Sequence, residues 1–166
     1  MTYVAFDGDA DIMSYRTLQS WSADPSYPFR LRDAHDINHA RDDSLPESII
    51  AQLRVRLAAS RHLLLLVSPA TGGNRRGILR YEINCALRNS MPIIAAFIGY
   101  SDHYHASEML WRRNLFPLLP TILTQHDGPK YCIISPFTRD RVVSAVQTYD
   151  TDHMPRFNEY TWHWRL

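Results

Sequence analysis

One acid in this chain sits where an apolar residue would be expected. In Ile78–Asn89, ILRYEINCALRN, residues Leu79, Ile83, Ala86 and Leu87 recur at the spacing of one helical face, and Glu82 falls between Leu79 and Ile83 on that face. An unpaired buried carboxylate costs several kcal/mol. Such a Glu is therefore either paired with a cation or kept at the rim of a cleft, where it has chemistry to do. Arg75, Arg76 and Arg80 are near enough in sequence to supply the ion pair, and Glu82 by itself does not choose between the two roles.

Other chemistry-bearing stretches are weaker. Phe6-Asp7-Gly8-Asp9-Ala10-Asp11 ends an apolar run in acids, with Asp7 the ligand candidate and Asp9 or Asp11 expected to cap the following helix. A receiver-type phosphoacceptor would need an Asp after the third strand, where Ser68-Pro69 stands instead. Gly72-Gly73-Asn74-Arg75-Arg76-Gly77 leads into a helix N-terminus, which fits a pyrophosphate cradle or equally a mobile basic loop. The histidines, notably His35, His39, His103 and His105, form no HExxH or CxxC set, so no catalytic metal is expected. A serine hydrolase is excluded by the lack of a GxSxG elbow.

The elements that position these residues alternate. Short apolar runs at Tyr3–Phe6, His62–Val67, Pro92–Ile98 and Tyr131–Ile134 read as strands, and Phe29 and Leu31 alternating with Arg30 and Arg32 read as a half-exposed strand at or near a sheet edge; the unalternated HLLLLV run predicts a central strand covered on both faces. Between them lie helical patterns over Asp11–Trp21, a helix opened by a capping box at Ser44-Leu45-Pro46-Glu47 and running to Ala58, the Glu82 helix, and Arg139–Tyr149. Gly99–Arg113 reads as a loop leading into a short helix, and Asp127-Gly128-Pro129 as a turn. Strands alternating with helices predict an α/β domain, a doubly wound, mainly parallel five-stranded sheet with helices on both faces, over residues 1–149. Residues 150–166 form an aromatic tail, with Phe157, Tyr160, Trp162 and Trp164, expected to pack on the domain or at an interface. In such sheets ligands bind beyond the carboxyl ends of the strands. That places Phe6, Asp7, the Asp33–Asp43 loop, Ser68–Gly77 and the first turns of the Glu82 helix around one site.

Composition narrows the partners. The chain has 166 residues, a formal net charge of +1 and two cysteines, Cys85 and Cys132, both in apolar settings. One domain with reduced thiols is expected, with no nucleic acid or anionic membrane as partner. No basic region precedes a long apolar run and no stretch reaches transmembrane length, so the expectation is a soluble cytoplasmic protein.

These segments together resemble the TIR-like domains of the Thoeris anti-phage systems. The likeness runs from about Tyr3 to Tyr149 in element order and rests on the VAFD strand end, the loop before SLPESI, the HLLLLVSP strand, RYEINCAL and PIIAAFI. TIR-like enzymes of this kind cleave NAD at the nicotinamide–ribose bond, and Thoeris members make cyclic or rearranged ADP-ribose signals for a separate effector. The resemblance implies an NAD glycohydrolase or ADP-ribosyl cyclase that takes NAD as substrate and needs no cofactor. It places Glu82 as the catalytic glutamate, with Phe6 and Asp7 near the nucleotide. Ile78 stands where TIR proteins commonly carry Trp, leaving Tyr81 as the nearest aromatic. In TIR enzymes the loop after the second strand often completes a site between protomers. Here that loop holds Asp36 and Asn38, so a homo-oligomer and a phage-derived trigger are expected regulators. NAD already carries a cationic leaving group, so one carboxylate suffices for glycosidic cleavage. The competing classes are a non-enzymatic TIR-like interaction module, with Glu82 paired to Arg, and a nucleoside deoxyribosyltransferase-like enzyme.

Overall fold

Six consecutive buried residues, His62–Val67, form the strand that the sheet is built around (β3). The structure, a computed structural model, describes residues 1–8, 10–26, 29–32, 46–69, 71, 76–99, 132–154 and 159–160. In chain order these give β1 (Thr2–Ala5), α1 (Ile12–Ala23), β2 (Leu31–Arg32), α2 (Pro46–Ala58), β3, α3 (Arg76–Arg88), β4 (Ile93–Phe97), β5 (Cys132–Pro136), α4 (Arg139–Thr148) and β6 (Glu159–Tyr160). The spatial order is β2-β1-β3-β4-β5-β6, and every pairing is parallel. The five expected strands are present. A sixth of two residues, contributed by the tail, lies beside β5.

Register and pleat divide the core into two layers. Tyr3 lies beside Leu63 and Ala5 beside Leu65. These alternate residues, with Val67, Ile93, Ala95 and Phe97, pack against Leu53 and Leu57 of α2 and Leu79, Ile83 and Ala86 of α3. Val4, Leu64, Leu66, Ile94 and Ala96 face the other way, onto Tyr15 and Leu18 of α1 and Val142 and Val146 of α4. Continuous apolar runs are what a parallel strand needs when helices cover both of its faces. A slip of one residue between β1 and β3 would send Tyr3 to the opposite layer.

α3 is held by burial on one side and a defined stop at its end. Fully burying side chains such as Leu79 and Ile83 is worth about 1.5–3 kcal/mol each. The helix closes where Met91 N–H donates to Ala86 C=O at 2.9 Å and Ser90 N–H to Leu87 C=O at 3.1 Å, with Ser90 left-handed at φ 51°. That is the Schellman pattern, with serine in the place glycine usually takes.

Two expectations need correction. Asp11 occupies the N-cap position of α1 but makes no side-chain capping bond, because its carboxylate is engaged elsewhere. Helix α1 extends to Ala23, two residues past Trp21, and Trp21 stacks on Phe137 with ring centroids 4.9 Å apart. Ile50 lies on the exposed side of α2, whereas Leu53 and Leu57 are buried. The Asp33–Asp43 loop, Ser44 of the capping box, the segment from Tyr100 to Arg113, the turn at Asp127-Gly128-Pro129 and the tail residues Phe157, Trp162 and Trp164 lie outside the described residues.

Candidate active site

Among the described residues, Glu82 meets the sheet through one hydrogen-bond partner. The Tyr3 hydroxyl donates to Glu82 Oε1 at 2.6 Å, joining β1 to α3 across 79 residues of chain. Tyr3 is fully buried and Glu82 is 4% exposed, so the bond lies inside the core rather than on a wet surface. A bond this short to a carboxylate is charge-assisted, and a low dielectric strengthens it. Tyr3 reaches Glu82 because strand alternation points it to the α2/α3 layer, and Leu79 and Ile83 hold that face of α3 against the sheet.

The electrostatics follow from enclosure. Burial pushes the Glu82 carboxyl up to about 7, and the Tyr3 hydrogen bond pulls in the opposite direction. Tyr3 is itself pushed far above the ordinary phenol range, by burial first and then by the neighbouring negative charge of Glu82, so it stays a donor at any working pH. Among the described residues no ion pair reaches Glu82: Arg80 is solvent-exposed, and Arg56 of α2 acts on the Tyr3 phenol. An acid held near neutrality can pass between its charged and neutral forms under ordinary conditions, a property expected of catalytic carboxylates.

A second polar cluster sits at the carboxyl ends of β1 and β3. Thr71 Oγ1 donates to Asp11 Oδ2 at 2.9 Å and accepts from Ser68 N–H at 2.6 Å; Ser68 Oγ lies 3.1 Å from the same Thr71 oxygen. Burial raises the Asp11 carboxyl, while hydrogen bonds from Ser68 and Thr71 oppose the rise. Asp7, also buried, takes the Ala10 amide at 3.4 Å, and its carbonyl accepts the Asp11 amide at 2.8 Å. β1 and β3 are neighbours, and the strand order reverses between them, so this cluster occupies the switch point of the sheet.

The expected site residues therefore fall into separate groups. Asp7 and Ser68 share the carboxyl-end cluster, and Glu82 lies in the α2/α3 layer. Phe6 packs in the opposite layer, stacked on Tyr15 at 4.4 Å between centroids. Tyr81 is half-buried beside the α2/α3 core, with its hydroxyl enclosed and turned toward Arg54. Asp36 and Arg75 lie outside the described residues. Sequence reasoning did not single out Tyr3, took in Thr71 only as part of the Ser68–Gly77 loop, and gave Asp11 a capping bond that it does not make. Strand parity marks Tyr3 as facing the same way as Ala5, but nothing local points it to an acid 79 residues away.

Residues 3–103 match the family model described as Thoeris protein ThsB, TIR-like domain. This span is more than half of the 166-residue chain. The chain belongs to the Thoeris TIR-like family. No curated protein matches it. The matched part of this TIR-like domain contains Tyr3, Asp11, Thr71 and Glu82, whereas β5, α4 and β6 follow it. Among the described residues of the TIR-like domain, no three or more His, Cys, Asp or Glu side chains gather in a way that could hold a metal ion. None of its described helices is long and apolar enough to cross a membrane.

Proposed function

We propose that this protein is an NAD-cleaving enzyme of anti-phage defence, with Glu82 as its catalytic carboxylate. The observation that supports this reading most is a carboxyl held near neutrality inside a Thoeris TIR-like domain, partnered by a hydroxyl rather than neutralised by a described cation. In the proposed reaction the bond between ribose C1′ and the pyridinium nitrogen breaks, and its electron pair leaves with neutral nicotinamide. The ribose carries the oxocarbenium-like charge, and the ionised Glu82 stabilises it. Water attacking C1′ yields ADP-ribose and a proton; a group of the same nucleotide attacking instead yields a cyclic or rearranged ADP-ribose. Either product would serve as the diffusible signal to a separate effector. No metal enters this scheme, because the leaving group departs without an acid or Lewis acid.

Asp7, Ser68 and Arg75 are proposed to contact the nucleotide from the carboxyl-end loops, Tyr81 to flank the nicotinamide, and Phe6 to support the strand end. Asp36 is proposed to complete the site from a second copy of the chain, with association or a phage-derived trigger raising the output. The closure of Glu82, at 4% exposure, favours one alternative, a non-enzymatic interaction module. Incubation of the purified protein with NAD, alone and with phage lysate, followed by mass analysis of the products, separates the two. Release of nicotinamide by the wild type and its loss in a folded Glu82→Gln variant are expected; equal turnover by that variant would exclude Glu82 from the chemistry.

A further inference from the structure

The Tyr3 hydroxyl does more than fill the core beneath Glu82. We propose that Tyr3 is the positioning residue for Glu82, fixing Oε1 so that Oε2 is the oxygen presented to the ribose; this rests on the NAD-cleaving reading above. Among the described residues Glu82 is hydrogen-bonded only through Oε1, and only to Tyr3. The donor is rigidly placed: Tyr3 is fully buried, and the parallel register between Tyr3 and Leu63 sets the direction of its ring. Among the described residues, the charged and titratable groups acting on the pair are few. Arg56 of α2 lowers the affinity of the Tyr3 phenol for its proton, and Cys85 of α3 raises it, both less than burial and Glu82 do. The Glu82 carboxyl feels burial, which favours the acid, and Tyr3, which favours the carboxylate. Tyr3 is thus the described group that opposes desolvation and limits how far the Glu82 carboxyl rises.

A structural hydroxyl and a positioning hydroxyl differ in what their removal does to the acid. A merely structural one changes stability, whereas a positioning one also moves the titration of Glu82. The test is Tyr3→Phe, with the Glu82 carboxyl followed by carbon-13 NMR in parallel with the pH profile of nicotinamide release. The expected result is a rise of about one pH unit in the Glu82 midpoint, the size of one hydrogen bond to a charged group. The acid limb of kcat should shift upward by the same amount, and kcat near pH 7 should fall about fivefold with KM little changed. An unmoved Glu82 midpoint in folded Tyr3→Phe would overturn the proposal. If that variant does not fold, 3-fluorotyrosine placed at position 3 keeps the shape and strengthens the donor. The midpoint should then fall, and an unchanged midpoint overturns the proposal equally. A wild type that releases no nicotinamide while its Glu82 midpoint still answers to Tyr3 would refute the NAD reading and leave the control of Glu82 by Tyr3 standing.

Discussion

Thr71 Oγ1 donates to Asp11 Oδ2 at 2.9 Å, tying the loop after β3 to the N-cap residue of α1 across 60 residues of chain. Both residues are buried, and the Thr71 oxygen also takes the Ser68 amide, so one hydroxyl satisfies two neighbours at the mouth of the switch point. Thr71→Val keeps the shape and removes the hydroxyl. It should destabilise the fold by about 2 kcal/mol, because a buried carboxyl and a buried amide each lose a partner. Thr71→Ser, which keeps the oxygen, should lose less than half as much. Urea denaturation of both variants checks this; equal losses would show that the methyl group, not the hydrogen bond, carries the effect.

Glu82 should make the protein less stable as pH rises. Its folded-state value is about 7 against an ordinary 4.5, so the folded state holds the proton more tightly than the unfolded state does. The stabilisation is complete below about pH 4.5, is lost progressively up to about pH 7, and amounts to roughly 3 kcal/mol. Glu82→Gln cannot ionise. Relative to wild type it should gain stability between pH 5 and pH 8, which denaturation curves at the two pH values would reveal.

His62 should act in the opposite sense. Its Nε2 lies 2.6 Å from Thr2 Oγ1, and burial holds the ring down to about 4 against an ordinary 6.5. The neutral ring contributes fully above about pH 6.5, and that contribution is lost as pH falls toward 4, again by roughly 3 kcal/mol. The slopes of His62 and Glu82 therefore oppose each other between about pH 4.5 and 6.5. His62→Gln, which keeps a polar side chain beside Thr2, should lose less stability on acidification than wild type. Parallel stability curves for the two proteins across this range would contradict the assignment.

Ser90 closes α3 in a left-handed conformation, at φ 51°. A Cβ in that region costs roughly 1 kcal/mol that glycine avoids. Ser90→Gly should raise the midpoint of thermal unfolding by a few degrees. A fall in that midpoint would mean that the serine side chain contributes more than its strain costs.

The sequence by itself determined the layers and the suspect acid. HLLLLV and PIIAAFI are too continuously apolar for a half-exposed sheet, so they had to be central parallel strands, and β3 and β4 are. The helical period placed Glu82 among Leu79, Ile83 and Ala86, and all four are buried in α3. Tertiary structure alone decided what that acid touches. Whether Glu82 meets a cation or a hydroxyl depends on which strand lies under α3 and in which register. Both are fixed by packing between segments 79 residues apart, where local periodicity carries no information. Asp11 shows the same division: its local sequence signals a helix cap, yet the Thr71 hydroxyl brought in from the neighbouring strand's loop takes the carboxylate. β6 has two residues, too few for any period to register, and only the open edge of β5 makes it a strand.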